Sequence, residues 1–290
     1  MKLDRSHQAS TIRPLNPRIF VMVCILLPLN GIVMNLLFRN EFFQPVSRYT
    51  NYIIQPTLCA NMISIIVFAF IILFLGRLNL ISLRLSFSKF KESIGLIFIL
   101  WFSAQTVSVI AAGLSPDGIS VNNDFNILVG SFLGQIFGNA LFEEAMYRGL
   151  IYIQLYLILR KKKNNKISIF IALVCSQLLF SLIHIPNRLW INQSENLLLD
   201  LVNLFILGAV FTIIFIRTDN LAFLIGFHAL LNEPFDIIKP SIPTQLIILL
   251  GAIIIAILWP LITCESRRIK PWRGNSYSKK SKSSSNVPIR

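Results

Sequence analysis

The sequence predicts an all-α fold, a polytopic membrane helix bundle of about eight transmembrane helices in a single domain. Three observations predict it. Apolar residues make up 54% of the 290-residue chain and charged residues only 14%, against roughly 25% charged in soluble domains. Apolar runs of membrane-spanning or nearly membrane-spanning length recur along the whole chain. The basic residues fall between those runs and in the tails, which is the arrangement that orients a membrane protein.

The runs cover residues 19–38, 58–75, 94–112, 126–159, 167–184, 197–216, 221–238 and 246–262. Each is long enough, or nearly so, for a hydrocarbon core about 30 Å thick. No water is present there to satisfy backbone N–H and C=O groups, so each run must be a helix. The first run follows a basic segment, as a secretory signal would, but it lacks a small-x-small cleavage site before Arg39 and is read as a retained helix. The organisation is then an amino-terminal tail at 1–18, a membrane domain at 19–262, and a basic tail at 263–290. That last segment is rich in Ser and Lys, so it is expected to be disordered and drawn to anionic lipid heads.

The net charge of +14 does not indicate nucleic acid, because the cations do not gather on one amphipathic face. With the amino terminus cytoplasmic, that side receives Lys2, Arg5, Arg13 and Arg18, then Arg77, Arg84, Lys89 and Lys91, then Arg160, Lys161, Lys162, Lys163 and Lys166, then Arg217 and the tail. Only Arg39, Arg48, Arg188 and Lys239 fall on the other side, and Arg148 falls inside a run. The positive-inside rule therefore places both termini in the cytoplasm and favours an even number of spans. Cys24, Cys59, Cys175 and Cys264 have no C-x-x-C spacing, which argues against a zinc site or a disulfide framework built from them. No repeat of 20 to 50 residues is present.

The informative residues are the ionisable ones inside the runs, since each costs roughly 2.5 to 3.5 kcal/mol at a helix centre. The fourth run contains Glu143, Glu144 and Arg148. Glu144 and Arg148 stand at i and i+4 with the acid amino-terminal, the favourable order for an ion pair. Glu143, about 100° round the helix, is left as the carboxylate not already neutralised. The fifth run ends Phe180-Ser-Leu-Ile-His184, and the seventh contains His228 and Asn232, one turn apart on one face. A lone histidine in such a run is ordinarily a packing hydrogen-bond partner; two of them with two acids and an arginine are more than packing requires. His184 lies near the outer end of its run whereas Glu143 and His228 lie nearer mid-span, so either the fifth helix runs on past Ile185 or it is tilted.

These residue types are the parts of a water-activating hydrolase. A carboxylate in apolar surroundings acts as general base on water and returns the proton to a leaving amine, and Glu143 is the candidate. His184 would hold the same water or pass its proton. His228 and Asn232 would receive the oxyanion of the tetrahedral intermediate, where one donor is typically worth about 2.7 to 4 kcal/mol. A zinc site on Glu143, His184 and His228 is the competing arrangement, because two histidines and one carboxylate form a catalytic zinc ligand set. His-Glu-x-x-His, Gly-x-Gly-Asp and Gly-x-Ser-Gly are all absent.

Glu143-Glu144-x-x-x-Arg148, Phe180-x-x-x-His184 and His228-x-x-x-Asn232, in that order on successive apolar runs, resemble the three motifs of the CPBP family. That family contains the type II CAAX prenyl endopeptidases and bacteriocin self-immunity proteins. The likeness covers about residues 126–238. It implies a metal-free, cofactor-free glutamate endopeptidase with Glu143 activating water, His184 assisting, His228 and Asn232 at the oxyanion, and Glu144, Arg148 and Phe180 in support. The implied partner is a peptide or lipidated protein, cleaved near its carboxy terminus. Two other functions compete: an ion- or proton-coupled transporter, since buried Glu, Arg and His line ion pathways, and a non-catalytic immunity or partner-regulating membrane protein. The first would favour paired broken helices in two related halves, which the sequence does not contain.

Overall fold

The computed structural model describes residues 13–116 and 118–262. Lys2, Arg5, His7, Cys264 and the basic tail lie outside the described residues. Ten helices are labelled here: α1 (Pro17–Arg39), α2 (Gln44–Tyr49), α3 (Pro56–Leu75), α4 (Phe87–Leu114), α5 (Phe125–Arg160), α6 (Asn165–Leu182), α7 (Ile185–Trp190), α8 (Leu197–Thr218), α9 (Leu221–Asn232) and α10 (Thr244–Ile262). Among the described residues seven helices are long and apolar enough to cross a membrane. Their outward faces carry large apolar side chains such as Phe74, Phe98, Phe170 and Ile254, which suit lipid rather than water. The chain is a multi-pass integral membrane protein.

Local chemistry sets where the helices begin. Pro17 and Pro56 occupy first-turn positions, where the missing N–H costs nothing. Ser86, Asn164, Asn196 and Asn220 cap α4, α6, α8 and α9 through their side-chain oxygens. Asn220 does more than cap. Its Oδ1 also accepts from Ser93 Oγ at 3.0 Å and its Nδ2 donates to the Lys89 carbonyl, so it ties the start of α9 to α4.

The seventh apolar run departs from its expected extent. It is helical only over Leu221–Asn232, about 18 Å of rise, short of a full crossing. Pro234 is the reason: the residue before a proline is pushed out of helical conformation, and Glu233 is extended at φ −136°, ψ 94°. Irregular backbone at this depth needs protein partners, and it has them. Trp101 Nε1 donates to the Phe235 carbonyl, Ile237 N donates to Gln105 Oε1, and Gln105 Nε2 donates to Asp236 Oδ1. Ile237 O and Lys239 N complete the pairing with Asn122 N and Ser120 O.

α9 is the central helix. Leu221 to Leu230 are all buried, and α4, α5, α8 and α10 surround it. Gly226 permits the closest of these approaches, since a Cβ there would stand 2.1 Å from Ile97 Cδ1 on α4. On this side lies an apolar cavity of about 530 Å³, walled by Phe90, Ile97 and Trp101 of α4, Phe137 and Leu141 of α5, and Leu230 of α9 among others. α5 is not a uniform α-helix: Gln135–Asn139 and Glu144–Tyr152 are π-helical. Such wide turns concentrate at functional sites because they re-aim side chains.

Candidate active site

The wide turn of α5 begins at Glu144, and Glu143 and Glu144, consecutive on the helix and so about 100° apart, leave it in different directions with different partners. Glu144 is fully buried, and its Oε1 accepts from Arg148 Nη1 at 2.9 Å and from His228 Nδ1 at 2.7 Å. Glu143 is 12% exposed at its side chain and makes no contact of hydrogen-bond length; its Oε1 stands 3.6 Å from His184 Nε2 and its Oε2 3.7 Å from His228 Nε2. Both imidazoles thus turn the same nitrogen toward one carboxylate. These separations exceed a direct hydrogen bond and are of the kind a single water spans by a bent path.

The ring nitrogens are assigned by their acceptors. His184 Nδ1 lies 2.7 Å from the Phe180 carbonyl oxygen, which only accepts, so Nδ1 carries the hydrogen. His228 Nδ1 faces a carboxylate and donates as well. In a neutral ring Nε2 is then the acceptor. His184 reaches this position because α6 does not stop: a turn at 183–184 leads directly into α7, and Pro186 sits in the first turn of that helix. The Phe180 ring packs edge-on against His184 at 4.7 Å, as Phe211 does against His228 at 4.8 Å.

Arg148 joins these parts. It is fully buried, with Nη1 on Glu144, Nη2 donating to Gln177 Oε1 at 3.1 Å and to the Gly208 carbonyl at 3.2 Å, and its guanidinium over the rings of Phe180 and Phe211. Asn232 stands apart in its contacts: at the exposed end of α9 its Nδ2 donates to Gln135 Oε1 at 2.9 Å. Glu143, Glu144, Arg148, Phe180, His184 and His228 therefore form one connected cluster, and Asn232 joins α9 to the first wide turn of α5. Gln135, Gln177, Gly208 and Phe211 were not singled out from the sequence. For Gln177 a signal exists, a polar residue in an apolar run seven positions before His184 and so on the same helix face.

Residues 125–233 match the family described as Type II CAAX prenyl endopeptidase Rce1-like. This segment is similar to the domain that defines that family. The matched segment starts with α5 and ends one residue beyond α9, and it contains every member of the cluster together with Asn232. α1 to α4 and α10 lie outside it. No curated protein and no solved structure matches the chain. The Rce1-like family is a protease family, so the match supports a peptidase, and the cluster is its candidate active site.

Proposed function

We propose that this protein is an intramembrane endopeptidase of the glutamate type, acting near the carboxy terminus of lipidated or membrane-associated protein substrates. The observation that carries the reading is that each oxygen of the Glu143 carboxylate faces an imidazole Nε2, at 3.6 and 3.7 Å. In this reading a water sits among the three groups. Glu143 takes its proton as the water oxygen attacks the scissile carbonyl carbon. The C–N bond then breaks, the proton passes from Glu143 to the leaving amine, and a carboxylate and an amine are released.

The two histidines differ in what backs them, and the difference assigns their roles. His184, backed by a neutral carbonyl, accepts a hydrogen of the water and orients it. His228, backed by the Glu144 carboxylate, donates from Nε2 to the oxyanion when that nitrogen is protonated. Asn232 is the second donor, with one amide hydrogen on Gln135 and the other free to turn to the substrate.

The family description names a prenyl endopeptidase, and that makes a prenylated peptide the first substrate to try. Arg77, Arg84, Lys89 and Lys91, together with Arg160 and the lysines that follow it, assign the side where α1 begins to the cytoplasm. The same rule favours both termini there if α9 and the partnered segment after it together make the eighth crossing, with the basic tail on anionic lipid heads.

The test is incubation of the purified protein with paired peptides, farnesylated and unmodified, with products read by mass spectrometry. Cleavage of the farnesylated member is expected, unchanged after a strong chelator. Cleavage lost on chelation and restored by zinc would replace glutamate-activated water with a metal-bound one. Ion flux into proteoliposomes with no cleaved product would favour a transporter, and the absence of both a non-catalytic partner-regulating role.

A further inference from the structure

We propose that Gln177 and Gly208 are positioning residues of this site, holding Arg148 at the angle at which Glu144 fixes His228. Their kinetic consequence rests on the endopeptidase reading; their structural consequence does not. Gln177 is fully buried on α6, where a carboxamide is costly unless its hydrogen bonds are made. Its Nε2 donates to Ser176 Oγ at 2.9 Å, and its Oε1 accepts from Arg148 Nη2 at 3.1 Å.

The guanidinium is planar and its donors form a rigid fork, so fixing Nη2 also fixes the direction of Nη1. Nη1 meets Glu144 Oε1, the same oxygen that accepts from His228 Nδ1. The path from Gln177 to His228 therefore runs through two side chains, Arg148 and Glu144, joined by hydrogen bonds of 3.1, 2.9 and 2.7 Å. Without Gln177, Nη2 keeps only the Gly208 carbonyl at 3.2 Å, at the long end of hydrogen-bonding distance.

Gly208 on α8 makes the arrangement possible by having no side chain. A Cβ there would stand 2.5 Å from Gln177 Oε1, 3.1 Å from Phe180 Cδ1 and 3.3 Å from Arg148 Nη2. Any larger residue drives the carboxamide off the guanidinium. α6 thus serves the site at two levels, directly through His184 and indirectly through Gln177, and the two imidazoles share one reference frame.

A residue that merely satisfies a buried arginine would affect stability alone, so the test reads His228 itself. The full chain, labelled at histidine with ¹⁵N and held in lipid nanodiscs, has three histidines, assigned through His7→Gln and His184→Gln. Gln177→Met removes the acceptor at nearly constant volume, Gly208→Ala displaces the carboxamide without changing its chemistry, and Gln177→Glu keeps an acceptor oxygen. The His228 Nδ1–H signal is expected to move or broaden in the first two variants and to return in the third. With a cleaved peptide, kcat falls about tenfold in Gln177→Met, the loss of roughly one charged-group hydrogen bond, while KM holds. Gln177→Glu recovers it.

Should one of the first two variants fail to fold, the other decides. An unmoved His228 signal in a folded Gln177→Met or Gly208→Ala protein overturns the proposal. A moved signal in a protein whose wild type cleaves no peptide keeps the positioning role and removes the endopeptidase.

Discussion

Arg148→Ala is expected to destabilise the protein by about 3 to 5 kcal/mol, the range for breaking a buried ion pair from one side. Glu144 is fully buried and would keep only His228 as a partner. Gln177 Oε1 would lose its donor as well, and the rings of Phe180 and Phe211 would face a cavity. Glu143→Ala removes a carboxylate that has no contact of hydrogen-bond length, and its effect should stay within about 1 kcal/mol. Thermal unfolding of both variants in the same detergent checks this: a melting temperature far lower for Arg148→Ala is the expected result, and equal temperatures would contradict it. Arg148→Lys is not expected to rescue, because an ammonium cannot meet Glu144, Gln177 and the Gly208 carbonyl with one fixed fork.

The second large effect is on rate. Glu143→Gln keeps the shape of the side chain and removes its basicity, so kcat should fall between about 10² and 10⁴-fold, the usual contribution of a positioned general base. KM and melting temperature should hold, since the carboxylate makes no ground-state hydrogen bond to another side chain. Glu144→Gln behaves differently. It weakens the bonds to Arg148 and His228 together, so stability and rate fall in step. Measuring kcat, KM and unfolding on the two variants side by side separates the carboxylate that reacts from the carboxylate that holds.

Much of this was legible in the sequence because bilayer physics leaves few choices. An apolar run of spanning length has to be a helix, so the membrane bundle follows from hydropathy, and the four-residue spacing of Glu144 and Arg148 sets them on one helix face. The end of α9 departs from the apolar pattern for the same reason the bundle follows it. Hydropathy averages over a window, so Phe235, Ile237 and Ile238 extend the run across Glu233 and Asp236; it does not register that Pro234 stops the helix or that Trp101, Gln105 and Asn122 are present to satisfy the freed backbone. The wide turns of α5 are not legible in the apolar pattern, which marks a run as helix without separating α from π. Gln177 and Gly208 become meaningful only when α6 and α8 stand against Arg148, and a glycine in a membrane helix has many other uses. Asn232 shares a helix face with His228, yet its partner Gln135 lies on α5, a pairing no spacing within one helix encodes.

The central claim is that Glu143 and His184 act as one unit on one water, with His228 at the oxyanion. A double-mutant cycle on kcat/KM with Glu143→Gln, His184→Gln and the pair tests it most directly, because members of a catalytic unit are grossly non-additive. The account predicts a double variant no slower than Glu143→Gln alone. Losses that multiply in the double variant would mean that the two residues act independently, and the shared site described here would be wrong.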